Sequence, residues 1–272
     1  MPKNTLAVEP DDKMREQIRY DIRALARLDK KSVNSLGDSC GSVAISEVLR
    51  SPYQSYEKQV ILLAKKGNTV LDICCGTGIF SLVSQPSGTR ISVVDIAPNN
   101  VKLAMLTARQ RGFNILGKVG DAEALPFEDS LFDLVTCAGS LSYFDREKGL
   151  MEVARVLKPG GYFICVDSLN HNPFYRMNRW LHYLRGHRTL STLKRMPKIE
   201  IFSEFEKYLG TVTYRSFHGI FTFLVPFLDV VLRPQFTADT ITWLDKKFSF
   251  LEKYAFKFVA VVRKASKKIG PR

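Results

Sequence analysis

The chain has 272 residues, 45% of them hydrophobic, and carries 40 Lys and Arg against 27 Asp and Glu, a formal net charge of +13. That length suits one sizeable α/β domain with a cap, or at most two small domains, and the ordinary apolar fraction excludes disorder over most of the chain. With Gly at 17, Pro at 12 and Cys at 5, collagen-like, low-complexity and disulfide-scaffold classes are excluded as well.

In chain order, Met1–Asp12 is a polar tail without the apolar stretch of a signal peptide. Lys13–Leu28 places Ile18, Ile22, Leu25 and Leu28 at helical spacing. Asp29–Ser42 reads as a loop, and Ser55–Lys65 as a second helix. From position 69 the pattern changes. Thr69–Cys74 is a buried strand, followed by a Gly turn and a helix over Ile79–Ser84. Strands are expected at Arg90–Asp95, Ile115–Val119, Phe132–Cys137 and Tyr162–Asp167. Helices are expected at Asn99–Arg111 and Arg146–Leu157, with a turn at Lys158–Gly161. This alternation predicts βαβ units and hence an α/β, doubly wound, mostly parallel sheet.

Beyond Asp167 the rhythm breaks. A helix is expected over Phe174–Leu184, a strand over Thr211–Phe217, a helix near Asp239–Lys247 and a final strand over Ala255–Arg263. The apolar run Ile220–Leu232 contains Pro226 and Asp229 and is too short to span a bilayer, so it reads as a buried or interfacial helix. Lys264–Arg272 is a basic tail.

Charge is unevenly spread. Residues 70–170 hold 9 basic and 11 acidic side chains, whereas residues 171–272 hold 19 and 7. The basicity is therefore a local feature of the C-terminal third. The cysteines are Cys40, Cys74, Cys75, Cys137 and Cys165. An odd count, an adjacent pair and no CxxC spacing argue against a zinc site or a disulfide framework, leaving small buried thiols in a reducing cytosol.

The chemistry concentrates in Val70-Leu71-Asp72-Ile73-Cys74-Cys75-Gly76-Thr77-Gly78, a strand entering a Gly-rich turn. Glycines allow a tight turn and close backbone approach to a ligand, and the N–H groups of a following helix can meet a carboxylate. Asp95 closes the second strand, where an acid can accept from ribose hydroxyls. A nicotinamide fingerprint fits less well. It needs a third Gly at position 81, which is Ser81, and Asp72 would repel a pyrophosphate. An acid there suits a ligand with an ammonium group.

The runs LDICCGTG (71–78), VVDIAP (93–98), GDAEALPF (120–127), FDLVTC (132–137) and LKPGG (157–161) together resemble the class I S-adenosylmethionine-dependent methyltransferases, most closely the quinone and small-molecule branch. The resemblance implies a seven-stranded Rossmann-like sheet with a helical cap, and S-adenosylmethionine as cofactor. It implies N-terminal cap helices over 1–68, a cofactor-binding core over 69–168, sheet strands with basic and aromatic cap insertions over 169–263, and a tail over 264–272. Asp72 would face the methionine ammonium. Cys74, Gly76 and Gly78 would form the loop under the cofactor, with Cys74 replacing the usual Gly or Ala. Asp95 would hold the ribose, Ile96 would pack on adenine, and Asp121 with the Ala122 N–H would meet the adenine edge. Cys137 would lie beside the methionine portion, with a core thiol as the alternative.

The acceptor site would be walled by residues 12–56, 139–145 and 167–251. His171 is the candidate general base, with His182, His187 and His218 as alternatives. Asp145 is a second candidate and equally a helix cap. Asn172-Pro173-Phe174-Tyr175 is similar to the Asn-Pro-Pro-Tyr motif of nucleobase and glutamine methylases, yet it follows the fifth strand where theirs follows the fourth. No metal is expected. Residues 174–198 interleave basic and aromatic side chains, which fits an anionic, phosphate-bearing small molecule, a lipid surface or nucleic acid. The same run and the ending AFKFVAVVRK resemble methyltransferases encoded among bacterial surface-polysaccharide genes. That implies O-methylation of a small-molecule or glycan-linked acceptor by a cytoplasmic enzyme, either free or peripheral to the inner membrane face. An RNA-modifying methyltransferase and a non-catalytic binding protein are the alternatives.

Overall fold

In the first half of the chain each strand is a short apolar run, and each is followed by a connection that crosses back over the sheet, so successive strands lie parallel. The computed structural model describes residues 10–29, 41–84, 87–186 and 188–266. Its strands are β1 (Thr69–Ile73), β2 (Arg90–Asp95), β3 (Leu116–Val119), β4 (Phe132–Ala138), β5 (Leu157–Ser168), β6 (Gly210–His218) and β7 (Lys257–Lys264). They form one seven-stranded sheet in the order β3-β2-β1-β4-β5-β7-β6. Only β7 runs against its neighbours, β5 and β6. The order reverses between β1 and β4, which opens a crevice at the C-terminal strand ends.

The principal helices are α1 (Pro10–Asp29), α2 (Glu47–Leu63), α3 (Pro98–Gln110), α4 (Arg146–Val156), α5 (Pro173–Leu184), α6 (Ile201–Tyr208) and α7 (Pro234–Lys247). One face of the sheet packs Leu71, Ile73 and Val135 with Leu150 and Val153 of α4 and Ile201 and Phe205 of α6. The other packs Val70, Ile91, Val93 and Leu134 with Tyr56 and Val60 of α2 and Ala104 and Ala108 of α3. Strand residues alternate between the two layers, as the pleat requires.

Several elements depart from the sequence reading. Ile79–Ser84 is a chain of turns, not a helix: Ser81 N–H bonds the Gly78 carbonyl and Val83 N–H the Phe80 carbonyl, both at 3.2 Å. These are three-residue closures, so the segment never reaches the i−4 ladder of an α-helix. The run 220–232 is broken into a 3₁₀ turn at Thr222–Leu224 and one α-turn at Val225–Leu228. Phe227, Val230 and Val231 stand in solvent. α2 begins at Glu47 and carries Pro52 inside it, and α7 begins at Pro234, a residue pre-set for the first helical position. Helix α1 presents Met14, Ile18, Ile22 and Leu25 outward. Its other face lies across the start of α3, where Asp21 accepts from the Asn99 backbone and side-chain amides at 2.8 and 2.9 Å. Residues 1–9, 30–40 with Cys40, and 267–272 lie outside the described residues, and with them most of the loop expected over 29–42 and of the tail expected over 264–272.

Candidate cofactor and acceptor site

At the crevice a cavity of about 230 Å³ is enclosed by the ends of β1, β2 and β4, the Gly120–Ala122 turn and one face of α1. Its floor is the Gly loop. Cys74 holds φ at +53° and Gly76 at +54°, a left-handed conformation that Gly adopts freely. A Cβ on Gly76 would meet nothing within 4 Å, so that face of the loop is open. Gly78 serves another purpose. A Cβ there would stand 2.8 Å from Cα and Cβ of Ala104, so Gly78 lets α3 pack on the loop and does not face the cavity.

Asp72 reaches the cavity from the C-terminal end of β1 and is 2% exposed. It accepts from the Ser81 hydroxyl at 2.6 Å and the Thr136 hydroxyl at 3.0 Å. Burial carries its carboxyl up to about 6, with the nearby Asp95 adding, while the two hydroxyls pull it down. Asp95 at the end of β2 accepts from Gly76 N–H at 2.9 Å through one oxygen. Through the other it accepts from Ala97 N–H at 2.9 Å and the Asn100 amide at 3.2 Å. Burial raises its pKa and these donors oppose the rise. A carboxylate has about four acceptor positions, so Asp95 keeps capacity for a ligand. Two buried acids over an open glycine loop form a site for a cationic ligand bearing hydroxyls. The chemistry fits the methionine ammonium and ribose of S-adenosylmethionine.

Ile96, Asp121 and Ala122 line the same cavity. Asp121 also pairs with Lys13 of α1, which reaches Glu123 at 3.0 Å. Cys137 is fully buried in the layer that holds Leu71 and Ile73, and Ala138, Gly139 and Ser140 take the wall instead. The pleat turns the Cys137 side chain to the opposite layer from Asp72. Its thiol is a core residue, and burial pushes its pKa up.

Neither catalytic candidate faces the cavity. His171 Nε2 accepts from the Ile199 N–H at 3.0 Å and holds the turn before α6. Asp145 is the N-cap of α4, accepting from Lys148 N–H at 3.2 Å. His218 is flanked by Ser51 and Ser216 hydroxyls at 2.9 and 3.0 Å, and burial lowers its pKa to about 4. His182 is on α5 away from the cavity, and His187 lies outside the described residues. Asn172 caps α5 through Tyr175 N–H at 3.2 Å, so the Asn-Pro-Phe-Tyr run is a helix start.

Side chains from α1 and the loop after β4 complete the cavity wall: Glu16, Tyr20, Ser140 and Tyr143. The Tyr20 and Tyr143 hydroxyls are 2.7 Å apart with their rings edge to face, and burial pushes the Tyr20 pKa up. Glu16 accepts from Thr189 and Thr192, both at 3.3 Å, and pairs with Arg19. Both segments are among those expected to wall the site. The individual side chains carry no motif.

A methyltransferase-domain family model matches residues 70–161. The chain is 31% identical over 179 residues to a sterol 4-C-methyltransferase of Caenorhabditis elegans, covering 60% of this chain and 54% of that protein. It is 36% identical over 108 residues to a demethylmenaquinone methyltransferase of Deinococcus radiodurans, covering 39% and 45%. The chain thus spans about half the length of the curated relatives it matches. Among solved structures, a geranyl diphosphate C-methyltransferase from Streptomyces coelicolor superposes with a TM-score of 0.56 at 17% identity, covering 78% of this chain and 80% of that one. It was crystallised with Mg²⁺, geranyl diphosphate and S-adenosylhomocysteine.

Proposed function

We propose that the chain is a class I S-adenosylmethionine-dependent methyltransferase and that it transfers a methyl group from S-adenosylmethionine to a small-molecule acceptor, a reading supported by the matching domain model and by the methyltransferase relatives. The observation that carries the reading is the convergence of Asp72, the open Gly76 loop and Asp95 on one cavity at the switch point of the sheet. Asp72 would hold the ammonium and Asp95 the ribose hydroxyls, while Ile96, Asp121 and Ala122 would border the adenine. When bound, the cofactor supplies an electrophilic methyl on a sulfonium. The chain's own task is to hold an acceptor atom in line with that methyl and keep water away. Glu16 and the Tyr20–Tyr143 pair line the same cavity as Asp72 and Asp95 and would be the groups nearest an acceptor hydroxyl held there. That supports the finer reading, O-methylation of a small-molecule or glycan-linked acceptor. Calorimetry with S-adenosylhomocysteine tests the cofactor assignment, and labelled-methyl transfer to nucleotide sugars, lipid-linked glycans, quinones and RNA tests the acceptor. Absence of cofactor binding would sink the methyltransferase reading. Transfer confined to RNA would replace the small-molecule acceptor.

A second feature supports peripheral attachment to an anionic lipid surface. No helix among the described residues is long and apolar enough to cross a membrane. Helix α5, however, exposes Phe174, Met177, Trp180, Leu181 and Leu184 beside the exposed Arg176 and Arg185. Apolar and basic groups on one exposed helix fit a lipid–water boundary. Helix α1, with its own outward apolar stripe, meets the end of α5 at an outer hollow lined by Arg15, Glu16, Arg19 and Tyr183.

A further inference from the structure

Helix α1 is amphipathic in the opposite sense from an ordinary surface helix, which turns its apolar stripe to the core. Met14, Ile18, Ile22 and Leu25 are 46–61% exposed, and among the described apolar side chains of the helix only Ala24 is buried. The hydrogen bonds and ion pairs that fix α1 to the body come from its polar side. Gln17 donates to the Ile96 carbonyl at 3.0 Å. Asp21 meets Asn99, Tyr20 meets Tyr143, Lys13 pairs with Asp121 and Glu123, and Glu16 accepts from Thr189 and Thr192. The acids of the helix are withdrawn with that side: Glu16 is buried, and Asp12 and Asp21 are half-buried.

On the outside two rows run side by side. Met14, Ile18 and Ile22 follow one another at four-residue spacing, and Arg15, Arg19, Arg23 and Arg27 do the same one position further on. Residues four apart stand one above the other on a helix, so an apolar row about 12 Å long lies beside a cationic row of about 18 Å. Arg15, Arg23 and Arg27 are exposed, while Arg19 is half-buried and pairs with Glu16. Together the rows fit a bilayer boundary, where apolar side chains enter the acyl region and guanidinium groups meet lipid phosphates. A nucleic acid would engage the arginines and leave the isoleucines in water. A second copy seated on the same face would bring two cationic rows together. The surface also continues toward α5, because Arg15 and Arg19 share the outer hollow with Tyr183 and Leu184.

We propose that the outward face of α1 docks on an anionic lipid bilayer, with Met14, Ile18 and Ile22 among the acyl chains and Arg15, Arg19, Arg23 and Arg27 at the phosphates. The two sides of the helix serve both contacts at once. Lys13, Glu16 and Tyr20 stay in the cavity wall, and the cavity stands one helix diameter, about 10–12 Å, from the lipid. This deepens the peripheral reading of α5, but it stands on a different helix and does not need the methyltransferase reading.

The test is co-sedimentation of the full chain with phosphatidylglycerol and phosphatidylcholine vesicles. Wild-type protein should prefer phosphatidylglycerol. Ile18→Gln combined with Ile22→Gln should weaken that binding about ten-fold or more, the loss of two buried apolar side chains. Arg23→Gln combined with Arg27→Gln should weaken it about ten-fold at low salt and little at about 0.5 M salt, where surface charge is screened. Both pairs should melt within about 2 °C of wild type, as exposed substitutions do. Depth is read separately: Ile22→Trp, in a chain carrying Trp180→Phe and Trp243→Phe, should be quenched by brominated phosphatidylglycerol. The docking face is overturned if both pairs keep wild-type vesicle affinity, or if the isoleucine pair melts far below wild type without lipid, which would mean that the stripe is packed against the chain. It is also overturned if that pair turns a dimer into a monomer in sedimentation velocity. RNA binding lost with the arginine pair and kept with the isoleucine pair, without vesicle binding, would give the arginine row to nucleic acid instead. Vesicle binding lost only in Trp180→Glu would leave α5 as the contact and remove α1, whereas loss only in the α1 pairs would leave α1 and remove α5.

Discussion

Asp72 and Asp95 are two acids one strand apart, and each is set by its neighbours. Asp95 is legible from its place at the end of the second strand, and Asp72 from its place before the glycines. The donors to Asp72 are not, because Ser81 and Thr136 come from a turn and a different strand. With its pKa at about 6 against an ordinary 3.8, Asp72 keeps a proton in the fold that it loses when unfolded. Its contribution to the stability of the ligand-free protein is therefore full below about pH 3.8 and lost as pH rises through about 6. Ligand ammonium favours the ionised form, so S-adenosylhomocysteine affinity should rise between pH 5 and 7. Asp72→Asn should flatten that slope in calorimetry, and an unchanged slope would remove Asp72 as the titrating partner. Asp95→Ala should weaken the same ligand by about 1.5–3 kcal/mol, the worth of a hydrogen bond to a charged group. His171→Ala, by contrast, should spare cofactor affinity and lower the melting temperature. Its ring nitrogen accepts a backbone N–H in a turn remote from the cavity.

The helices carry a different lesson. The spacing of Ile18, Ile22 and Leu25 marks α1 as a helix, yet that apolar stripe faces outward. Its polar side contributes Lys13, Glu16 and Tyr20 to the site. Periodicity reveals that a helix has two faces. Which face turns inward depends on what it meets, here the polar start of α3 and the acids of the Gly120–Glu123 turn. Helix α5 follows the same pattern, with Arg179 inward and Trp180 outward. If α5 is the lipid contact, the protein should co-sediment with phosphatidylglycerol vesicles and less with phosphatidylcholine vesicles. Trp180→Glu should reduce that binding without changing cofactor affinity. Equal partitioning of wild type and variant would refute the contact.

Across the whole molecule, the net charge of +13 divides along the sheet. Residues 70–170 form the near-neutral frame of the cofactor cavity, and the basic surplus lies in the segments that follow β5. Those segments add the outer strands β6 and β7 and helices α5 to α7, whereas every residue lining the cofactor cavity precedes position 145. Ligand binding and folding are linked through the same frame. S-adenosylhomocysteine at 100 times its dissociation constant should stabilise the fold by about 2.7 kcal/mol, read as a rise in melting temperature. No rise at saturating ligand would contradict a cavity assembled from β1, β2 and β4.

The sequence by itself determined the parallel core, the loop at 72–78 and the acids that flank it. These are local consequences of apolar runs, glycines and strand-to-turn spacing, which short-range physics specifies. The tertiary structure decided the rest: that Gly78 answers to Ala104, that Cys137 turns into the core, that His171 holds the turn at Ile199, and that Arg179 is buried. Each depends on atoms brought from tens of residues away, and no period or motif within a segment encodes the partner it will meet.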